Sequence, residues 1–436
     1  MIKTIKEAFK QKDVRTKILW TLLFLLVYRI GCWIPIPGIE PSVFKASWEG
    51  SNAGDFLQIL NAVAGGALAN GAILALGVGP YITSSIVMQL LTIAIPSLER
   101  LSKQGDEGRR KIAVYTRYVA LFMALAQAIA IAVSFNLSNQ VVGNLFGNMV
   151  PEFVVIMFVV LVLTAGAMFT VWIGDKITEK GVSNGMSMLI FVGIISTGAL
   201  AFFHSIIEVT KDINQIVTPI VFLGTLTLIF FLIVFITLGE RRIPVTYAKQ
   251  VKGNKMYGGQ SSHIPLKINA VGVIPIIFAF SLLNFPQLIM SFFQGSAYNW
   301  YATNMGTGTW PNIVLTALLI LGFSYFYATL SFNPEDVARN LQQQGGFILG
   351  YRPGPPTRDY LKKVNNRMTF FGAMFLAFMA LVPSLIFKAV MTDGGANPLT
   401  NAFTSIGMLI IVSVALEFDK QLQGLMLMKT YKGFLK

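Results

Sequence analysis

Residues able to do chemistry are few in this sequence, and they avoid its apolar segments. Of 436 residues, 34 are Lys or Arg, 20 are Asp or Glu, two are His and one is Cys. His204 and His263 lie far apart in sequence, and no Cys/His cluster has metal-ligand spacing. A single cysteine, Cys32, excludes an internal disulfide. No nucleotide-binding G-x-x-x-x-G-K-[ST], esterase G-x-S-x-G or zincin H-E-x-x-H occurs. The cores of the apolar segments hold neither Asp nor Glu; Glu152, Asp175, Glu240 and Glu417 stand at their ends. Ion-coupled carriers and pumps need a titratable or coordinating group near the midplane of the membrane. Arg29 is the charge inside an apolar segment, and it reads as a helix-end arginine snorkelling to the interface. The expectation is a chain with no catalytic residue, no cofactor and no metal, whose energy comes from a partner.

The elements that position these residues are membrane spans. Hydrophobic residues make up 54% of the chain and charged residues 12%, too apolar a balance for a soluble protein to cover itself. With roughly 20 apolar residues needed per crossing, spans fall near 18–36, 73–95, 112–134, 153–173, 184–204, 215–238, 270–291, 312–332, 369–390 and 400–418. The first follows a basic stretch, as a signal peptide would. No small-x-small cleavage site follows it, so it reads as an uncleaved transmembrane helix. The fold class expected is an all-α polytopic membrane protein of about ten transmembrane helices. Ten spans divide into two five-helix halves, 18–205 and 206–418. Five is odd, so the halves are inverted, with a central site between them.

Charge sets the orientation. The net charge is +14, and thirty of the Lys and Arg residues fall in the N-tail 1–17, the C-tail 419–436 and the loops of one side. The opposite loops hold Lys45, Lys211 and Lys388. By the positive-inside rule both tails and the long loops 239–268 and 333–368 are cytoplasmic, and anionic lipid is a natural partner. Loops that long are more often functional than idle. Segment 55–72 (DFLQILNAVAGGALANGA) is too short and interrupted to span. It reads either as an external amphipathic helix or as a re-entrant element shielded by protein. Gly77, Gly79 and Pro80 in span two, and Gly272, Pro275 and Pro286 in span seven, suit close packing or helices that bend and part around a pore.

Several blocks resemble the SecY family, the channel subunit of the bacterial Sec translocase. Arg29-Ile-Gly through Pro35-Ile-Pro-Gly-Ile39 is similar to the end of its first helix, and ALGVGPYITSSIVMQLL to the second half of its second. WIGDKITEKGVSNGMSMLIF resembles its fourth-to-fifth helix junction. GERRIPVTYAKQ with KMYGGQSSHIPLKINAVGVIPIIFA, then NPEDVARNLQQQGGFILGYRPG, resemble its two long cytoplasmic loops. The blocks run in the family's order over essentially the whole chain, and the terminal YKGFLK also matches.

The resemblance implies a multi-pass protein of the bacterial cell membrane, a protein-conducting channel rather than an enzyme. It implies passage of unfolded polypeptide and lateral release of apolar segments into lipid. It also implies a pore ring of Val78, Ile82, Ile190, Ile277 and Ile410. Val78 is smaller than the Ile often found there, and Gly79 replaces a frequent Met, which suggests a slightly looser ring. The implied plug is 55–72, with Phe56, Leu57, Ile59, Leu60, Ala64, Gly65 and Gly66. A lateral gate lies between spans two and three and spans seven and eight, with Gln89, Gln127 and Asn284 as polar candidates. Arg241, Arg242, Lys249, Lys252, Lys255, Arg339, Arg352 and Arg358 fall on the docking surface for the SecA motor and the ribosome. SecE and SecG subunits and signal sequences complete the implied partners. The reading outside this family is a secondary transporter of a small solute.

Overall fold

The computed structural model describes residues 2–37, 61, 64–136, 152–211, 217–247, 250–252, 255–257, 261–269, 272, 274–292, 296–306, 309–390 and 405–433. Ten helices of 16 residues or more appear among them, one for each expected span: α2 (Lys12–Gly31), α3 (Gly79–Ala94), α5 (Asp106–Asn136), α6 (Glu152–Lys180), α7 (Gly185–Lys211), α8 (Val217–Leu238), α9 (Ile274–Phe292), α11 (Trp310–Ser331), α13 (Pro355–Val390) and α14 (Ser405–Gly433). Shorter helices are α1 (Ile2–Lys10), α4 (Pro96–Ser102), α10 (Ser296–Met305) and α12 (Pro334–Gln343). Stretches within α5, α6 and α7, and α11 running on into α12, are individually long and apolar enough to cross a membrane; α3 with α4 forms a further candidate, bent by 105°. Rows of Leu, Phe and Val on α2, α6 and α8 stay exposed, as expected where the surrounding medium is hydrocarbon.

Packing follows the two halves. In the first, α3 lies on α5, α5 on α6, α6 on α7 and α2 on α6 and α7. In the second, α9 lies on α11, α11 on α13, α13 on α14 and α8 on α13 and α14. The same pairings recur five helices later. Each half has its own core, one around Ala124, Ala128 and Leu163 and the other around Ile233, Ile276, Ile320 and Leu409. Contacts of α3 and α5 with α9, and of α7 with α14, join the halves.

Local chemistry fixes the joints. Asn184 Oδ1 accepts the Met186 amide at 3.0 Å and starts α7, while Thr21 Oγ1 accepts the Val182 amide at 3.0 Å and ties α2 to that turn. Asn333 accepts the Glu335 amide at 3.1 Å, with Pro334 at the first helical position and Glu335 and Asp336 in the first turn, so α12 is stopped and started by rule. Arg117 of α5 and Asp175 of α6 form an ion pair at 2.9 Å, so the carboxylate at that span end has a partner.

The long loops hold structure that helical periodicity did not foresee. β1 (Glu240–Tyr247), β4 (Ser261–Lys267) and β5 (Gly346–Ile348) form an antiparallel sheet in the order β4-β1-β5; β2 (Gln250–Lys252) and β3 (Lys255–Tyr257) form a hairpin between β1 and β4. In register, Ile243 faces Ile264 and Val245 faces Ile348. Ile243, Val245, Leu266 and Ile348 pack with Leu341 of α12 and Leu361 and Val364 of α13 in a small core. Strands about a hundred residues apart in sequence, one from each loop, therefore belong to one folded unit.

Candidate functional site

Val78 ends the irregular stretch before α3, and Ile82 lies in that helix's first turn. Ile190 comes from α7, Ile277 from α9 and Ile410 from α14. All five meet in one hydrophobic cluster: Val78, Ile190 and Ile410 are buried, and Ile82 and Ile277 pack against it half-buried. Both halves contribute to it. The smaller Val78 is fully enclosed, at 0% exposure, so its size leaves no opening at its own position. A junction built of branched aliphatic groups offers no ligand to an ion and no hydrogen bond to water.

Ala64 and Ala67 belong to the same cluster. Over 64–72 the backbone turns irregularly instead of forming an amphipathic helix, and Ala64, Ala67, Leu68 and Ala72 are buried. These described residues, 64–72 of the segment 55–72, take the shielded, irregular form. The segment is hydrogen-bonded internally and to the stretch that follows α2: Asn61 Oδ1 accepts the Ala69 amide, Gly71 O accepts the Ile36 amide, and Ile34 O accepts the Ile73 amide. Phe56, Leu57, Ile59 and Leu60 lie outside the described residues. Arg29 Nη1 donates to Gly65 O at 2.8 Å, an acceptor within this segment.

A third feature is the seam where α3 of one half meets α9 and α11 of the other. Ile86, Phe278 and Tyr327 are buried together, flanked by Ile82, Phe323 and Phe326. Phe278 and Tyr327 meet edge to face, with ring centroids 4.8 Å apart. The Tyr327 hydroxyl donates to Gln89 Oε1 at 2.7 Å, a direct polar link across the halves. Gln89 was legible in the sequence and Tyr327 was not, although a hydroxyl-bearing ring in an apolar span is a signal that it needs an acceptor. Gln127 is not brought to this bond; its Oε1 is buried with no partner among the described residues. The Asn284 side chain lies outside the described residues.

The SecY family model matches residues 72–418. The chain is 40% identical to protein translocase subunit SecY of Streptomyces coelicolor, over 100% of both chains, and 40% identical to that of Halalkalibacterium halodurans, again over 100% of both. It is 38% identical to that of Escherichia coli, over 97% of this chain and 94% of the other. The chain belongs to the SecY family. Solved structures share its fold. A protein-conducting channel superposes with a TM-score of 0.60 at 20% identity, covering 94% of this chain and 92% of the other. A SecY protein whose plug domain stabilises the closed state gives 0.63 at 19%, with the same coverage. Membership makes this a multi-pass membrane protein and a protein-conducting channel subunit, and the small-solute carrier reading falls away.

On the SecY-family loop face the basic residues separate into paired and unpaired. Arg242 of β1 is paired with Glu240 at 2.7 Å, Arg339 of α12 with Glu335 at 3.6 Å, and Arg358 of α13 with Asp359 at 2.9 Å. Lys252 and Lys255 are register partners in the β2–β3 hairpin; Lys249 lies outside the described residues. Arg241 and Arg352 are exposed and have no carboxylate partner among the described residues. The turn carrying Arg352 is braced, since Thr357 Oγ1 donates to Arg352 O at 2.7 Å and the rings of Tyr351 and Tyr360 stack at 4.2 Å. Burial, and then the Lys267 ammonium beside it, hold Lys420 below the usual lysine range.

Proposed function

We propose that this chain passes unfolded polypeptide through the junction of Val78, Ile82, Ile190, Ile277 and Ile410, and releases apolar segments into lipid by parting the seam of α3 from α9 and α11. The observation carrying the reading is that five aliphatic groups drawn from both halves meet in one cluster. Moving the halves apart opens it without breaking any charge interaction among its members. Segment 55–72 is the plug, with Ala64 and Ala67 closing the cluster in the resting state. The tails and the loop unit face the cytoplasm of a bacterium, where thirty cationic side chains also meet anionic lipid. SecE and SecG accompany the chain, and it carries out no bond chemistry of its own. A polypeptide arrested in transit should cross-link to photoreactive side chains at 82, 190, 277 and 410 and not to one at lipid-facing Phe235. Equal labelling at all five sites would overturn the route.

The loop unit receives SecA or the ribosome, through Arg241, Arg242, Lys249, Lys252, Lys255, Arg339, Arg352 and Arg358. Arginine pairs with acidic protein surfaces and with phosphate alike. Arg352 is the best placed of them because it is exposed, unpaired and held on a braced turn. Arg352→Glu is expected to slow SecA-driven translocation about tenfold or more while the protein accumulates normally in the membrane. An unchanged rate in reconstituted vesicles would remove the assignment.

A further inference from the structure

Three side chains at the C-terminal end of α2, Tyr28 and Arg29 in its last turn and Cys32 just beyond it, converge on two consecutive carbonyls of the re-entrant segment. Tyr28 Oη donates to Ala64 O at 3.3 Å, Cys32 Sγ approaches the same oxygen at 3.6 Å, and Arg29 Nη1 donates to Gly65 O at 2.8 Å. Tyr28 and Cys32 are fully buried. Tyr28 and Cys32, at i and i+4, share one side, and Arg29 reaches in from the next position round. The segment is wedged from the other side by α7: a Cβ on Gly65 would lie 3.0 Å from Gly193 Cα and 2.7 Å from Arg29 Nη1, and one on Gly66 would lie 3.5 Å from Thr197 Cγ2. Gly65 and Gly66 have φ of +70° and +85°, the left-handed region that favours glycine. That conformation turns the Gly65 carbonyl toward α2.

An arginine so placed is expensive unless its charge is used. No carboxylate pairs with it among the described residues, and an uncompensated cation within a span is costly. A charge-assisted hydrogen bond, part-buried here, is stronger than a neutral one. We propose that Arg29 is the clamp of the plug: its bond to the Gly65 carbonyl holds the base of the segment on α2 and α7, so the plug leaves the exit only when that bond breaks. Because α2 and α7 belong to the same half, the plug is carried by the first half when the halves separate. A carbonyl is the recognised group, so the clamp depends on the backbone path of 64–66 rather than on the side chains of the plug. This inference rests on the reading of 55–72 as the plug.

Cys32 supplies the readout, because it is the sole cysteine and lies under Ala64. The translocase is purified with its native partners and reconstituted in liposomes. N-ethylmaleimide modification of Cys32 is followed by mass spectrometry, beside resting ion conductance. Arg29→Gln is expected to speed modification about 10- to 100-fold, the range for losing one charged hydrogen bond, and to raise conductance in step. Gly65→Ala attacks the same contact from the other partner and should act in the same direction, and the two changes together should do little more than the stronger alone. Cys32 protection unchanged in both single variants overturns the clamp, as does conductance that rises while Cys32 stays protected. Deletion of 58–70 separates the two levels. If the deletion leaks while Arg29→Gln does not, the clamp fails and the plug stands; a tight bilayer after the deletion refutes the plug and the clamp with it.

Discussion

Replacing Ile82, Ile190, Ile277 and Ile410 together by asparagine should raise the resting ion conductance of reconstituted vesicles by orders of magnitude. The barrier at an aliphatic constriction is the free energy of bringing water and ions into a passage that offers them no hydrogen bond. Carboxamides supply that hydration directly. The four positions are not equivalent. Ile190 and Ile410 are buried in the cluster, whereas Ile82 and Ile277 are half-buried against it. A polar group at Ile190 or Ile410 also costs stability, on the order of 1–3 kcal/mol if it finds no partner, and this favours the parted form as well as wetting it. Single substitutions there should therefore leak more than those at Ile82 or Ile277. Replacement of all four by valine, which keeps the apolar surface and loses one methylene each, should stay nearly tight. Single-channel records of the asparagine variant at the wild-type level would remove the collar from the function.

The contrast between these isoleucines and Arg29 separates what was legible in the sequence from what was not. Composition and span length were enough for ten helices, because the bilayer sets one repeat length and the chain must meet it everywhere. The collar positions followed from resemblance alone, since an isoleucine in an apolar helix has no pattern to distinguish a pore from a core. The structure adds that residues from α3, α7, α9 and α14 meet in one cluster. The partner of Arg29 was not legible, because Gly65 O is thirty-six residues away in sequence. The loop sheet was missed for a related reason. β5 is three residues long and pairs with β1 across about a hundred residues of sequence, too short for alternation to register. Its core side chains, Ile243, Val245 and Ile348, read locally as scattered hydrophobics in a basic loop.

Tyr327→Phe should let the channel accept weaker apolar signal segments, with the threshold hydrophobicity for insertion lowered measurably. The ring packing against Phe278 survives the change, so the loss is confined to the hydroxyl that Gln89 Oε1 now accepts at 2.7 Å. Without it the closed seam loses one side-chain hydrogen bond across the halves, worth about 0.5–1.5 kcal/mol, whereas the parted seam loses nothing. The parted population should rise about two- to tenfold. Gln89→Leu alone strands the buried hydroxyl and should act in the same direction. The two together put an apolar pair where a polar pair stood, and replacing both partners by matching apolar groups is close to neutral. The double variant should therefore return toward the wild-type threshold. That recovery is what separates a latch across the halves from a general loosening of α11, which would make the two effects add. Translocation of a signal series of graded hydrophobicity reads both outcomes, and additive thresholds in the double variant would dismiss the latch.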